Sequence, residues 1–404
     1  MRILLGAFGD PGHAFPLLAL GERLVERGHE VCLQTWRKWE RDTEAAGMRF
    51  AAAPEYHVFP TLERPLKPYE AAVRAARETV PLVADLAPDA CVSDILTIAP
   101  ALAAELCDVP VATLVPHLHP DAAPGHPPWS VGARLPRTRL GAALWTQSLR
   151  AVRAGLERGR GEYNGARARL GLPPRSELHT ALSRELTMVA TLPHLEYPRE
   201  WPTWLRVVGP LMWEPPGDEV APPPGDGPVV LVAPSTSQDP GHALLRAALA
   251  GLAREPVRVI ATWNGREPDP PVAVPDNAVL VPWLSYSRTL PRCDLMVSHG
   301  GHGTVMRALT TGVPVLACPA AGDMNENAAR LDWAGLGVRL PRRLLTPASI
   351  RLAARRALAD PALRSRARAV ATWSATRDGP ATAARAIESW IERRSGRERP
   401  TTVA

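Results

Sequence analysis

Leu295-Met296-Val297-Ser298-His299-Gly300-Gly301-His302-Gly303-Thr304 reads as a short apolar strand, a glycine-rich turn and the start of a helix. Three glycines within four residues let the backbone press against a ligand. Thr304 adds a hydroxyl, and a helix N-terminus presents free N–H groups and partial positive charge. The stretch is therefore a phosphate-binding design, with a plain tight turn as the alternative. It is neither G-x-G-x-x-G nor a P-loop, so no dinucleotide or Walker-type site follows.

Outward from this stretch the same strand–helix alternation recurs. Around it the pattern predicts strands at Val229–Ala233, Val257–Thr262, Ala278–Val281 and Pro314–Ala317. Helices are predicted at His242–Ala253 and Thr304–Thr310, and helices dominate from there to about Glu392. The first 115 residues predict strands at Arg2–Phe8, Glu30–Gln34, Ala90–Val92 and Val111–Val115, with helices at Phe15–Glu26, Glu70–Leu86 and Ala99–Leu106. Such β-α-β alternation implies parallel sheets covered on both faces. A loop at Pro116–Pro128, two arginine-rich helices (Leu140–Glu157 and Glu162–Leu170) and a strand at Leu186–Ala190 follow the first half. Then comes a passage with Pro215-Pro216 and Pro222-Pro223-Pro224, too proline-dense for a regular element. The expected fold is α/β, with two Rossmann-like, doubly wound domains facing across a cleft. Residues 1–213 form the first and 214–227 a stiff linker. Residues 228–375 form the second, and 376–404 a helix packing back on the first domain, plus a tail. Ligands of such sheets bind beyond the carboxyl ends of the strands.

Composition excludes several other classes. The chain has 404 residues and is 46% hydrophobic, too apolar for a disordered chain. No apolar run reaches 18 residues, so no membrane-spanning helix is expected. The five cysteines are scattered without a C-x-x-C pair, which points to buried thiols in the cytoplasm and against a zinc site. The net charge of +6 comes almost wholly from arginine, Lys38 and Lys67 being the only lysines. Acids are interspersed with those arginines, so the charge is no footprint for nucleic acid.

The first half carries a second candidate at Gly9-Asp10-Pro11-Gly12-His13-Ala14-Phe15-Pro16, between a strand and a helix. His13 at a helix start facing the cleft is a candidate general base; a capping or core histidine is the alternative. Such a base works better with a carboxylate on its other nitrogen. Asp94 lies just past the strand Ala90–Val92, at a carboxyl end where the two could meet, or it caps the next helix.

Taken together, these segments resemble the UDP-glycosyltransferase superfamily (glycosyltransferase family 1, GT-B fold). The family's signature of a Trp, an HxGxxS/T loop, GVP and P…DQxxNA reads here as Trp283, His299 to Thr304, Gly312-Val313-Pro314, and Pro319 to Ala328. Gly12-His13 with Pro16-Leu17-Leu18, Arg27-Gly28-His29-Glu30-Val31 and Val208-Gly209-Pro210 match as well. The likeness spans most of the chain and is nearest the bacterial branch that decorates natural products such as antibiotics. It implies inverting transfer of a sugar from a nucleotide diphosphate donor to a small acceptor, with no metal or resident cofactor. By that resemblance His13 deprotonates the acceptor hydroxyl and Asp94 holds His13. His299, Gly301, Gly303 and Thr304 meet the diphosphate, and Trp283 stacks on the base. Asp323 holds sugar hydroxyls, while Ser235, Thr236 and Ser237 line the donor phosphates.

Departures from the pattern bear on the donor. The family's Asp-Gln pair is Asp323-Met324, and a thioether bonds a hydroxyl poorly. Arg307 stands where plant members carry a Glu for the ribose diol. Both losses fit a deoxysugar on dTDP; a UDP-sugar donor is the alternative. The acceptor, expected to be small and hydrophobic, falls to Trp36, His117, Trp129 and their neighbours. The chain is expected as a monomer or homodimer. Two other readings are a GT-B epimerase and an inactive auxiliary partner, both disfavoured by an intact His13–Asp94 match and phosphate loop.

Overall fold

The structure, a computed structural model, describes residues 1–54, 67, 69–121, 123–179, 181–235, 238–320 and 322–398. Its strands are β1 (Arg2–Gly6), β2 (Glu30–Thr35), β3 (Arg49–Ala52), β4 (Ala90–Asp94), β5 (Val111–Val115), β6 (Thr187–Val189) and β7 (Leu205–Val207) in the first half. The second half has β8 (Val229–Ala233), β9 (Arg258–Thr262), β10 (Ala278–Val281), β11 (Leu295–Ser298), β12 (Val315–Ala317) and β13 (Gly337–Arg339). The helices are α1 (Pro11–Glu26), α2 (Glu40–Ala45), α3 (Glu70–Leu86), α4 (Ile98–Leu106), α5 (Arg139–Arg169), α6 (Ala243–Leu252), α7 (Tyr286–Thr289), α8 (His302–Thr310), α9 (Asp323–Ala334), α10 (Pro347–Ala359), α11 (Pro361–Ala375) and α12 (Gly379–Glu398).

Both sheets are parallel throughout, ordered β3-β2-β1-β4-β5-β6-β7 and β10-β9-β8-β11-β12-β13. The central strands β4, β8 and β11 are buried at every residue, as strands covered on both faces must be. Strand order reverses where β1 pairs with β4 and where β8 pairs with β11. Crevices open at such reversals, beyond the strands' carboxyl ends. His13 follows β1, Asp94 ends β4, and the glycine-rich loop follows β11, so each candidate site sits at a switch point. The α/β GT-B architecture expected from the sequence is the one observed.

Several expectations need correction. Residues 139–169 form one helix, α5, not two. Its interior has no proline, and Gly155, Gly159 and Gly161 each cost only about 1 kcal/mol against alanine. The short strands β3, β7 and β13 and the helix α2 went unread, each too brief to show a period. Asp94 caps no helix: α4 begins at Ile98 behind Thr97.

From Val208 to Pro228 the described chain has no helix or strand. The C-terminal α12 lies on the first half, where Ala383, Ala384, Ile387, Trp390 and Ile391 join the core beneath α1. Arg27 grips both Glu388 oxygens at 2.7 and 2.6 Å, and His29 Nε2 meets the same carboxylate at 2.8 Å. Arg27 first, and then His29, hold the Glu388 carboxyl down at about 2. Ile387 is fully buried. Ile387→Ala is expected to lower unfolding stability by roughly 2–5 kcal/mol, read by denaturant titration, with nucleotide affinity unchanged.

Candidate active site

A cleft of about 400 Å³ opens between the halves. From the first half it takes Asp10, Gly12, His13, Phe15 and His117; from the second, Trp283, His299, Gly301, Thr304 and Asp323.

On the first-half wall, α1 starts right after β1 and aims His13 into this space. His13 Nδ1 lies 2.9 Å from Asp94 Oδ1, with His13's side chain 17% exposed and that of Asp94 fully buried. The carboxylate is fixed in turn, Oδ2 accepting from Phe8 N at 3.2 Å and Oδ1 from Leu96 N at 3.3 Å. A carboxylate only accepts, so the shared proton sits on His13 Nδ1 and leaves Nε2 as the basic nitrogen. Burial alone would lower the His13 pKa. Asp94 outweighs it, with help from Asp10 and Asp323, and the pKa rises above 6.5.

Opposite lies the glycine-rich loop. Gly300 adopts φ +78°, open to glycine without strain. A Cβ on Gly301 would stand 2.3 Å from His299 Nε2, so a side chain there would displace the His299 ring. Gly301 is the N-cap of α8 and, among the described residues, no side chain caps that helix, so the N–H groups of its first turn, Thr304's included, are open to the cleft. His299 is more specific than the sequence implied. Its Nδ1 is 3.3 Å from the Ala233 carbonyl, and burial pulls its pKa below 6.5. It is held neutral, and Nε2 would donate to an anion only after taking up a proton.

Beside the loop, Trp283 and Tyr286 stand edge to face with ring centres 6.3 Å apart, and Tyr286 Oη donates to Asn264 at 2.9 Å. Arg307 lies one turn below Thr304, its side chain largely buried. Its Nε is 3.5 Å from Glu214 Oε2, and its guanidinium also donates to the Trp213 carbonyl. Glu214 additionally accepts from Ser285 Oγ at 2.7 Å, Tyr286 N at 3.2 Å, Ser287 N at 3.2 Å and Ser287 Oγ. Burial raises its pKa, but the Ser287 and Ser285 hydroxyls with Arg307 more than offset that, and the carboxyl stays ionised.

Of the residues read from sequence, the cleft gathers His13, His117, Ser235, Trp283, His299, Gly301, Gly303, Thr304 and Asp323, with Asp94 behind His13. Ser235 Oγ accepts from Gln238 N at 2.9 Å, a turn contact. Thr236 and Ser237 lie outside the described residues. Trp36 and Trp129 do not line the cleft. Trp36 packs on Phe8, ring centres 5.0 Å apart, and Trp129 stacks on His117 at 5.2 Å. Their placement on loops fitted packing as well as contact, and each packs on a neighbouring ring while staying partly exposed. Glu214, Asn264, Gln238 and Tyr286 were missed. Glu214 sits in the proline-rich passage, whose composition masked it.

Comparison with known proteins bears on the fold and the class of enzyme. Residues 246–389 match the family described as erythromycin biosynthesis protein CIII-like, C-terminal domain. The 4'-demethylrebeccamycin synthase of Lentzea aerocolonigenes is 29% identical over 425 residues, covering 96% of this chain and 99% of that one. The O-mycaminosyltylonolide 6-deoxyallosyltransferase of Streptomyces fradiae is 29% identical over 436 residues, covering 99% and 100%. The crystal structure of CalG4, the calicheamicin glycosyltransferase, superposes with a TM-score of 0.76 at 26% identity over 97% of this chain and 98% of that one.

Proposed function

From the premise that this chain is a glycosyltransferase of the GT-B fold, akin to enzymes of antibiotic biosynthesis, we propose inverting transfer of a deoxysugar from dTDP to a hydroxyl of a small apolar acceptor. One observation carries the reading: His13 Nε2 opens into the cleft with its partner nitrogen on Asp94, across from the uncapped start of α8. The acceptor O–H gives its proton to His13 Nε2. Its oxygen bonds to the anomeric carbon from the face opposite the diphosphate. The bond from that carbon to the diphosphate breaks, and its electron pair leaves on phosphate oxygen. The N–H groups of α8's first turn offset that charge. Trp283 supplies a flat face for the base. Asp323 accepts from the sugar, and Met324 beside it offers no comparable grip. No metal enters this scheme.

The dTDP preference rests on Glu214. A ribonucleotide diol seeks a free carboxylate, and a carboxylate has about four lone-pair sites. Donors from Ser285, Tyr286, Ser287 and Arg307 already occupy those of Glu214. The S. fradiae relative is a 6-deoxyallosyltransferase, in keeping with a deoxysugar. Turnover with matched dTDP- and UDP-sugars, products read by mass spectrometry, tests this. A kcat/KM at least tenfold higher for dTDP-deoxysugars is expected; a preference for UDP-glucose would sink it.

A further inference from the structure

The two halves meet in more than the cleft. Arg330, on α9 of the second half, is 3% exposed, and so is its partner Glu196 of the first half; its other partner, Glu326, is 1% exposed. Arg330 donates to Glu196 at 2.6 Å, to Glu326 at 2.8 Å and to the Leu195 carbonyl at 3.2 Å. Its guanidinium lies 4.3 Å over the Tyr197 ring, and Tyr197 meets Trp333 of α9 edge to face at 4.9 Å. The other Glu196 oxygen accepts from His119 N at 2.7 Å, and so reaches the loop that carries His117.

That loop is tied to the second half along its length. Leu118 packs in the core of the second half with Leu231 and Val305. Gly132 lies so close to Asn325 that a Cβ there would be 2.9 Å from Asn325 Cβ, and its carbonyl accepts from Arg339. Arg134 pairs with Asp332. A buried ion pair is a poor source of net stability, but its directional contacts fix geometry. Here it joins the wall that faces the acceptor to the helix whose first residue, Asp323, lines the donor side.

We propose that Arg330 is a positioning residue: with Glu196 and Glu326 it locks the loop 117–134 onto α9, so that a nucleotide diphosphate bound between the starts of α8 and α9, which Asn327 ties to the glycine-rich loop through the Gly300 carbonyl at 2.9 Å, fixes the acceptor wall. The inference rests on the functional reading above. Coupling of this kind is reciprocal, the donor tightening acceptor binding by the factor by which the acceptor tightens the donor.

The test uses the full chain with thymidine diphosphate as probe. In the wild type, adding it slows amide exchange in 117–134 at least fivefold. The triple variant Glu196→Gln, Arg330→Met, Glu326→Gln removes the charges at similar volume. It is expected to bind thymidine diphosphate within twofold of the wild type, lose the added protection and raise acceptor KM about tenfold, with kcat within threefold. If the triple variant fails to fold, Arg330→Lys keeps the charge, loses the fork, and is expected to lose at least half of the added protection. Retained protection in the folded variant overturns the proposal, as does a parallel fall in affinity for nucleotide and for acceptor. A wild type that binds nucleotide without protecting 117–134 overturns the coupling alone. A wild type that binds neither thymidine nor uridine diphosphate overturns the functional reading and this inference together.

Discussion

Replacing His13 by alanine is expected to lower kcat for sugar transfer by roughly 10²–10⁴-fold, the usual worth of a positioned general base. Affinity for thymidine diphosphate should stay within twofold, because the wall proposed to hold the diphosphate belongs to the opposite half. His13→Ala with near-native turnover would reject the base assignment, whereas lost nucleotide binding would mark a structural role. The pH profile gives an independent check. Only the neutral imidazole accepts a proton, so activity is full above the His13 pKa and falls tenfold per pH unit below it. Burial would lower that pKa, but Asp94 chiefly, and Asp10 and Asp323 with it, raise it above 6.5. The acid limb of kcat/KM should therefore lie above pH 6.5. A limb well below that value would mean that Asp94 does not act on His13.

Much of this site was legible before any coordinates because its parts are local. A strand end, a glycine and a helix start lie within ten residues, and a parallel sheet brings such segments to one edge. Hence His13 and Asp94, 81 residues apart, meet at 2.9 Å, and the loop 299–304 falls at the second switch point. What could not be read depends on tertiary pairing. Nothing in Glu214's proline-rich surroundings says that three consecutive residues of another segment, 285–287, will donate to it. Nor does helical spacing on α9 show that Arg330 leaves its own Glu326 one oxygen and reaches Glu196, 134 residues away. Trp36 and Trp129 pack on Phe8 and His117 rather than lining the cleft, which their sequence could not tell: an indole on a loop buries as much surface against a neighbouring ring as against a ligand.

Asp94→Asn is the sharper test, because it changes one atom and leaves the volume alone. Oδ2 of Asp94 accepts from Phe8 N, while Oδ1 accepts from Leu96 N and faces His13 Nδ1. An asparagine has one oxygen and one NH₂ for these contacts. With its oxygen on Phe8 N, the NH₂ donates to His13 Nδ1, drives the ring proton to Nε2 and removes the base. With its oxygen on His13 and Leu96 N, the NH₂ opposes the Phe8 N–H, and an unpaired buried donor costs about 1–3 kcal/mol. The first arrangement gives up the longer Leu96 N contact, at a residue that is 58% exposed, and loses transfer by roughly 10²–10⁴-fold with stability little changed, the fate of a base held in the wrong tautomer. The second keeps more activity but lowers the melting temperature. Phe8 N is part of the chain where α1 leaves β1, so holding that contact is expected to win: kcat falls, stability changes little, and any residual acid limb moves to lower pH once the Asp94 charge is gone. A D94N enzyme with more than a tenth of native kcat, a native melting temperature and an unshifted acid limb would show that the carboxylate neither orients nor charges His13, and the pair would then be structural.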